Sequence, residues 1–155
     1  MNPAKINPVK IITATLDQLE QLAPLFNAYR VFYQQASDLE AATVFLCERF
    51  LLRENVIYMA LEGQTVLGFT QLYPSFSSVS LKRLWILNDL YVIPEARGLR
   101  VGEALIGAAV ELARSSGAIG VQLETAHSNL SGQKLYERLG FQRKDLAYRT
   151  YFLKF

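Results

Sequence analysis

The feature that most constrains the fold is an abrupt change of hydrophobic pattern in the middle of the chain. Residues 83–93 (RLWILNDLYVI) form a long, mostly apolar run that Pro94 stops, which is typical of a buried β-strand. Residues 98–115 then follow the apolar spacing of one helix face. Residues 119–124 alternate between apolar and polar side chains. The pattern predicts a strand–helix–strand crossover, which should be right-handed.

The remaining elements follow from caps, turns and periodicity. Thr15 with Gln18 and Ser37 with Glu40 have the spacing of capping boxes, and each pair precedes a helical apolar pattern. The other predicted elements are strands at Val9–Thr13, Val56–Glu62, Val66–Tyr73 and Tyr148–Phe155, a hairpin turn at Gly63-Gln64, a loop from Pro74 to Ser80, and a helix at Ser128–Leu139. The order β-α-α-β-β-β-α-β-α-β predicts an α/β (α+β) fold with a mixed, mostly antiparallel central sheet flanked by helices.

Composition limits the classes of function. A chain of 155 residues with 51% hydrophobic side chains suits one domain over residues 1–155 with a full core. A net charge of +2 predicts no nucleic-acid partner, and the one cysteine and one histidine predict no metal. The apolar runs are too short for a bilayer span and the N-terminus does not resemble a signal peptide, so we expect a cytoplasmic protein with no membrane partner.

The turn between the long strand and its helix has the chemistry of an anion site. The first N–H groups of a helix lack internal partners, and the helix dipole favours negative charge there. Gly98 and Gly102 allow a bound group to approach the backbone closely, and Arg97 and Arg100 add charged donors. The residues therefore predict a phosphate or pyrophosphate site. The alternative is an ordinary turn with two solvated arginines.

A second motif lies near the C-terminus. Asn129 falls where a strand-to-helix loop ends, and Tyr136 lies two turns further along the same helix face. The phenol of Tyr136 can donate a proton to a leaving anion. The alternative is that Asn129 only caps the helix and Tyr136 is a core aromatic residue.

Together the two motifs resemble the GNAT superfamily of acyl-CoA-dependent N-acyltransferases. The family pattern Arg/Gln-x-x-Gly-x-Gly/Ala matches residues 97–102, with Arg100 in place of the first glycine. The pattern Asn-x-x-Ala…Leu-Tyr-x-x-x-Gly-Phe matches residues 129–141, with Gly132 in place of the alanine. The strand around Asn88 and the aromatic C-terminal run are most similar to the branch of histone and polyamine acetyltransferase-like enzymes.

The resemblance implies acetyl-CoA as cosubstrate and direct attack by an amine on its thioester in a ternary complex. It implies the following CoA-binding residues: Leu90, Tyr91, Val92, Arg97, Gly98, Leu99, Arg100, Val101, Gly102, Glu103, Asn129 and Tyr136. It also implies that Tyr136 protonates the leaving thiolate.

The amine, whose pKa is about 10.4, must lose a proton before it attacks, and a carboxylate can accept that proton. Asp89 is the first candidate base and Glu124 on the next strand is the second. Strand alternation predicts that Asp89, Tyr91 and Ile93 share one face, with Asn88, Leu90 and Val92 on the other. Polyamine members of the family often have a glutamate base where this chain has Asn88. A carboxylate satisfied by a structural contact is the alternative for either acid.

For recognition of the amine, aromatic rings beside carboxylates in the first two helices suit a cation. The candidate substrate-binding residues are Tyr29, Tyr33, Asp38 and Glu124. Core packing and helix capping are the alternative roles. The expected function is N-acetylation of a small or polyamine-like primary amine. A protein lysine or N-terminal acetyltransferase and a non-catalytic acyl-CoA sensor stay open, and the aromatic C-terminal strand suggests a homodimer.

Overall fold

The computed structural model describes residues 8–144 and 149–155. The chain divides into two compact units, Met1–Leu123 and Glu124–Phe155. Among the described residues, the first unit contains a sheet and three α-helices, and the second contains one further α-helix.

The strands of the first unit are β1 (Lys10–Thr13), β2 (Val56–Glu62), β3 (Thr65–Ser77), β4 (Lys82–Val92) and β5 (Val121–Gln122). Its helices are α1 (Leu19–Phe32), α2 (Leu39–Leu51) and α3 (Val101–Ser115), and short 3-10 turns at Leu16–Gln18 and Pro94–Ala96 precede α1 and α3. The second unit contains α4 (Leu130–Arg138). Each predicted helix is present, with ends that differ by a few residues.

The sheet has the strand order β1-β2-β3-β4-β5 within the described residues. Pairing is antiparallel from β1 to β4, and β5 runs parallel to β4. The structure therefore confirms a mixed, mostly antiparallel sheet in which α3 connects two parallel strands. Parallel neighbours require such a crossover because a tight turn cannot join them.

Helices cover the sheet on both faces. Ile57 and Met59 of β2 pack in one cluster with residues of α1 and α2, whereas Tyr58 and Ala60 pack in another cluster with residues of α3. Successive side chains of a strand point to opposite faces, so this alternation places α1 and α2 on one side and α3 on the other. A strand buried on both faces explains why residues 56–62 read as nearly continuous apolar sequence.

The caps of the first two helices differ in how well they were predicted. The capping box at Thr15 is confirmed, with its N–H donating to Gln18 Oε1 at 2.8 Å. The predicted box at Ser37 is wrong, because Asp38 caps α2 by accepting from the N–H of Ala41 at 2.9 Å. Ser37 Oγ instead accepts from Asn27 Nδ2 at 2.9 Å. The aspartate carboxylate is as good a cap as serine and lies one residue closer to the helix.

The expected loop from Pro74 to Ser80 is also corrected. Strand β3 continues through Pro74 to Ser77 and pairs with β4 along that length. Pro74 lies beyond Leu72, the last β3 residue that pairs with β2. At that point β3 has a single neighbour, and a residue without an N–H is tolerated as on an edge strand.

The predicted strand at the C-terminus is wrong over its described part. Residues 149–155 contain no strand, and Tyr148 lies outside the described residues. Tyr151, Phe152 and Phe155 are highly exposed. An aromatic run becomes a strand only where a second backbone pairs with it, and no strand pairing is found in that described segment.

The described residues contain neither a membrane-spanning helix nor a metal-binding cluster. None of their helices combines the length and the apolar character needed to cross a membrane. Their His, Cys, Asp and Glu side chains form no group of three or more that could hold a metal ion.

Candidate active site

A pocket of about 380 Å³ opens in the first unit between α1, α2 and the middle of the sheet. Its lining residues are Phe26, Tyr29 and Arg30 of α1, Ala41, Ala42 and Phe45 of α2, Tyr73 of β3, and Asn88 and Asp89 of β4. Phe26 stacks on Phe45 with ring centroids 5.7 Å apart and approaches Tyr29 at 6.3 Å. The pocket therefore combines aromatic walls with the carboxylate of Asp89.

A β-bulge in β4 places two neighbouring polar side chains in this pocket. Gln71 pairs with Asp89, but the next β3 residue, Leu72, pairs with Leu87, so Asn88 is an extra residue in the strand. A bulge interrupts side-chain alternation and redirects the strand. The prediction that Asn88 and Asp89 face opposite sides is therefore wrong, because both line the pocket.

The same alternation was also wrong at Ile93. Ile93 lies one residue beyond the end of β4 and packs in the cluster on the α3 side with Leu90 and Val92. Tyr91 packs with Phe69 in the cluster on the opposite side, as alternation predicted. Ile93 leaves the pattern because Pro94 begins a 3-10 turn and ends the strand geometry.

Asp89 is almost completely buried, with 2% of its surface exposed, and its carboxylate is hydrogen-bonded on both oxygens. Asn88 Nδ2 donates to Oδ1 at 2.8 Å, and Gln71 Nε2 donates to Oδ2. Burial raises the pKa of Asp89 above its ordinary value of 3.8, although the bonds from Gln71, Asn88 and Tyr29 act in the opposite direction. A carboxylate with a raised pKa is a stronger base than a solvated aspartate.

Two phenols share the pocket with this carboxylate. The Tyr29 hydroxyl donates to the backbone carbonyl of Asn88 at 3.3 Å and interacts with the Asp89 carboxylate. Burial, and then the negative charge of Asp89, raise the pKa of Tyr29 and of Tyr73. Both phenols therefore stay neutral at physiological pH and present polar hydroxyls beside the acid.

Three of the four predicted substrate-binding residues lie in the first unit, and one of them lines the pocket. Tyr29 lines the pocket, whereas Tyr33 is exposed and packs its ring on Tyr29 at 4.9 Å. Asp38 caps α2 and lines an open groove of about 390 Å³ that shares Ala41 and Phe45 with the pocket. Glu124, predicted on a strand, is exposed and follows the end of β5 in the second unit.

The predicted anion-binding turn has an unusual backbone. Gly98 and Arg100 both have positive φ angles, of 79° and 62°, and Arg100 is the N-cap residue of α3. The family pattern has a glycine at position 100, and the left-handed conformation explains why: a side chain there costs roughly 1–2 kcal/mol. A left-handed residue followed by a helix start turns successive N–H groups toward one concavity, which is a geometry that binds anions.

Arg97 has a second role that the motif did not predict. Its Nε donates to the backbone carbonyl of Val92 at 3.1 Å, and its guanidinium lies 5.8 Å from the Phe32 ring centroid. The side chain thus ties the turn to the end of β4. On the other edge of β4, β5 pairs only with Trp85 and Ile86, so residues 90–92 have no strand partner there among the described residues.

In the second unit, Asn129 caps α4. Its Oδ1 accepts from the N–H of Gly132 at 3.1 Å, and its Nδ2 donates to Thr125 Oγ1 at 2.9 Å. A Cβ at Gly132 would collide with the Asn129 side chain, so glycine at this position permits the cap. Tyr136 is half-buried, and its ring lies edge-on to Phe141 at 6.0 Å.

Sequence reasoning missed several pocket residues. Gln71 and Asn55 support Asp89, and Tyr73, Phe45 and Arg30 line the walls. The available signal was the polar pair Thr70-Gln71 within an otherwise apolar strand, because buried polar residues need partners and often mark a site.

Comparison with known proteins identifies the family. Residues 16–141 match the Acetyltransferase (GNAT) family, which covers most of the chain. The chain belongs to this family and is an acetyltransferase enzyme that carries out N-acetyl transfer.

Individual relatives agree with that assignment. "Uncharacterized N-acetyltransferase YhfO" of Bacillus subtilis is 50% identical over 78% of this chain and 81% of its own length. "Probable acetyltransferase" of Haemophilus influenzae is 36% identical over 65% of this chain and 70% of its own. A crystal structure of a probable acetyltransferase has a TM-score of 0.87 and 46% identity, covering 94% of this chain and 97% of that one.

Proposed function

We propose that this enzyme transfers an acetyl group from acetyl-CoA to a primary amine of a small or polyamine-like molecule, with Asp89 as the general base. The observation that carries the proposal is the position of Asp89: a buried carboxylate in a pocket walled by aromatic rings. Aromatic faces attract ammonium groups, and a carboxylate adds charge attraction. A pocket of about 380 Å³ suits the end of a small molecule.

The reaction requires the amine to lose a proton before its nitrogen attacks. An alkylammonium has a pKa of about 10.4, so it enters the pocket protonated. The Asp89 carboxylate accepts the first proton, directly or through a water. The neutral nitrogen then attacks, so that the new N–C bond forms and the C–S bond of the thioester breaks. The ammonium loses two protons on becoming an amide: Asp89 accepts one, and the nitrogen gives up the other once the N–C bond has formed. The released thiolate takes up one proton, so each turnover releases one net proton to solvent.

Acetyl-CoA supplies the activated acetyl group as a thioester. We assign the pyrophosphate to the backbone N–H groups and guanidinium groups of the turn, and the pantetheine to the open edge of β4. The residues concerned are Leu90, Tyr91, Val92, Arg97, Gly98, Leu99, Arg100, Val101, Gly102 and Glu103. The two positive φ angles in the turn support this assignment.

The roles of the second unit rest on its motif. We assign Asn129 to CoA binding and Tyr136 to protonation of the leaving thiolate. Asn129 uses its side chain in the helix cap and both of its backbone groups in bonds to Ala126 and Gln133, which leaves the second hydrogen of its Nδ2 for a ligand. Tyr136 is half-buried, as a proton donor beside a bound group would be.

For the amine, we assign Tyr29 to the pocket wall and Tyr33 and Asp38 to the approach along the neighbouring groove. Aminoalkylphosphonate N-acetyltransferase of Salmonella typhimurium, 29% identical over 63% of this chain and 64% of its own, is named for a small amine and supports the class. The aromatic walls of the pocket support placing this enzyme near the polyamine acetyltransferase-like branch of the family.

We further propose that the chain forms one acetyltransferase domain over residues 1–155, acts in the cytoplasm without a metal, membrane or nucleic acid, and forms a homodimer. Because residues 149–155 contain no strand, an edge strand does not support the homodimer. Exposed Tyr151, Phe152 and Phe155 are its remaining support.

Thiol release from acetyl-CoA in the presence of alkylamines, diamines and amino acids tests the proposal. We expect turnover with at least one small primary amine. Turnover only with lysine-containing peptides or protein N-termini would assign the enzyme to protein substrates. Tight CoA binding without turnover of any amine would overturn the proposal in favour of a sensor.

A further inference from the structure

A chain of two side-chain amides, Asn55 and Gln71, ends on the candidate base. Gln71 is fully buried in β3 and lies directly opposite Asp89 in the register of β3 and β4. Its Nε2 donates to Asp89 Oδ2, and its Oε1 accepts from Asn55 Nδ2 at 2.8 Å. Asn55 lies in the loop between α2 and β2, so the chain reaches from that loop to the carboxylate.

The groups at the two ends of this hydrogen-bonded chain determine which way the Gln71 amide points. A carboxylate only accepts hydrogen bonds when it is ionised, so Gln71 must turn its NH₂ group toward Asp89. Its oxygen then needs a donor, which Asn55 supplies. The arrangement costs free energy at Asn55 Oδ1, because this oxygen is buried without a hydrogen-bond partner among the described residues. Turning the Asn55 amide would not remove this cost. It would place Asn55 Oδ1 against Gln71 Oε1, and neither of these two oxygens can donate a hydrogen bond.

We propose that Gln71 is a positioning residue that keeps the Asp89 carboxylate ionised and oriented in the pocket, with Asn55 locking the Gln71 amide. This inference rests on the proposed function of Asp89. The physical reason is that a buried carboxylate without donors would hold its proton, whereas a charge-assisted amide donor favours the ionised form. Asn88 plays the same part on Oδ1 from the exposed bulge.

The neighbouring residue Thr70 provides a matched control. Thr70 is as fully buried as Gln71, but its Oγ1 donates to the backbone carbonyl of Asp89 at 2.9 Å rather than to the carboxylate. Thr70→Val removes one buried hydrogen bond without touching the carboxylate. Gln71→Met removes the amide at similar length and leaves an apolar side chain in a buried position.

The other titratable or charged groups near Asp89 are identified by the pocket. They are Tyr29 and Arg30 on α1 and Tyr73 on β3, with Arg49 on α2 close to Tyr73. Both tyrosines have raised pKa values and arginine stays charged, so none of them titrates in the acidic range. A carboxyl signal that titrates there and is lost in Asp89→Asn therefore belongs to Asp89.

The test is a ¹³C NMR titration of the free enzyme labelled at its aspartate carboxyl carbons. We expect the midpoint of the Asp89 signal to rise by about one pH unit in Gln71→Met, since a hydrogen bond to a charged group is worth about that much. In Thr70→Val the midpoint should stay at the wild-type value. Equal midpoints in wild type and Gln71→Met would overturn the proposal.

A second variant keeps the test decisive if Gln71→Met does not fold. Asn55→Leu removes the donor to Gln71 Oε1 without adding a charge, so the Gln71 amide is free to turn and present its oxygen to Asp89. The Asp89 midpoint should again rise, although Gln71 is unchanged; an unchanged midpoint would show that Asn55 does not lock the amide. If Asp89→Asn retains full turnover, the proposed role of Asp89 as base fails, whereas the titration still reports whether Gln71 controls its proton.

Discussion

The two ends of the segment β4–α3 offer two contrasting kinds of site. At Asp89, side chains from α1, α2, β3 and β4 converge on one buried carboxylate. At residues 97–103, an exposed turn at 97–100 and the first residues of one helix form the candidate anion site, and all of its residues are consecutive. The first site is made by tertiary packing of side chains, the second by local backbone conformation.

This contrast determines how each region should respond to substitution. Burial lowers the local dielectric constant, so a lost or added charge near Asp89 has a large effect. In the exposed turn, water and salt screen each charge, and several N–H groups share the anion. One side chain there should therefore contribute only modestly to the affinity for the anion. The predictions below separate the two regions, starting with the largest expected effect.

The strongest test of the buried region is Asp89→Asn. We expect kcat to fall by roughly 10²–10⁴-fold, since asparagine cannot accept the proton of the amine. The affinity for CoA, measured by calorimetry, should stay near the wild-type value. Glu124→Gln, at the exposed second candidate, is the matched control and should keep its rate. The reverse pattern would move the base to Glu124.

The pH dependence of kcat tests the same residue without substitution. Asp89 works as a base only when deprotonated, and its folded pKa is raised above 3.8 by burial. Activity should therefore be lost as pH falls through that raised value, by about tenfold for each further pH unit. Initial rates measured at saturating amine across the acidic range would show this loss as the acidic limb of the pH–rate profile. A limb at or below 3.8, or one that persists in Asp89→Asn, would contradict the assignment.

An intermediate effect is expected at Tyr136. Tyr136→Phe removes the proton donor but keeps the ring packed on Phe141. We expect turnover to fall by about tenfold and CoA affinity to change little, because a thiol with a pKa of roughly 8.5 also leaves without full protonation. Tyr151→Phe, at a tyrosine that is 87% exposed, is the control. Equal rates in both variants would remove Tyr136 from the mechanism.

The smallest effect should come from the exposed turn. Arg100→Gly and Arg100→Ala remove the same charge, but only glycine fits the left-handed backbone without strain. The glycine variant should be more stable than the alanine variant by about 1 kcal/mol in urea unfolding, because the strain of a left-handed alanine is partly offset by the greater freedom of glycine in the unfolded chain. At low salt, both variants should bind CoA a few-fold more weakly than the wild type does. At high salt, the difference from the wild type should nearly disappear, because salt screens the charge of Arg100. Equal stability of the two variants would indicate that the turn rearranges around alanine.

Most of the fold was predictable because its signals are local. The helix at 101–115 and the hairpin turn at Gly63 depend on periodicity and on turn chemistry that neighbouring residues carry. The errors fall where a partner decides the outcome. Residues 149–155 have strand-like side chains without a strand, and Pro74 lies within a strand despite its turn chemistry, since its neighbours on the sheet allow it.

The candidate site divides along the same line. The sequence by itself identified the candidate anion-binding turn and Asp89 as a candidate base, since contiguous residues and a lone acid in an apolar strand are visible in one dimension. Only the tertiary structure decided that Asn88 bulges into the pocket and that Gln71 and Asn55 orient the carboxylate. Those contacts join residues on separate elements, and a hydrogen bond between them exists only once the register of β3 against β4 is set.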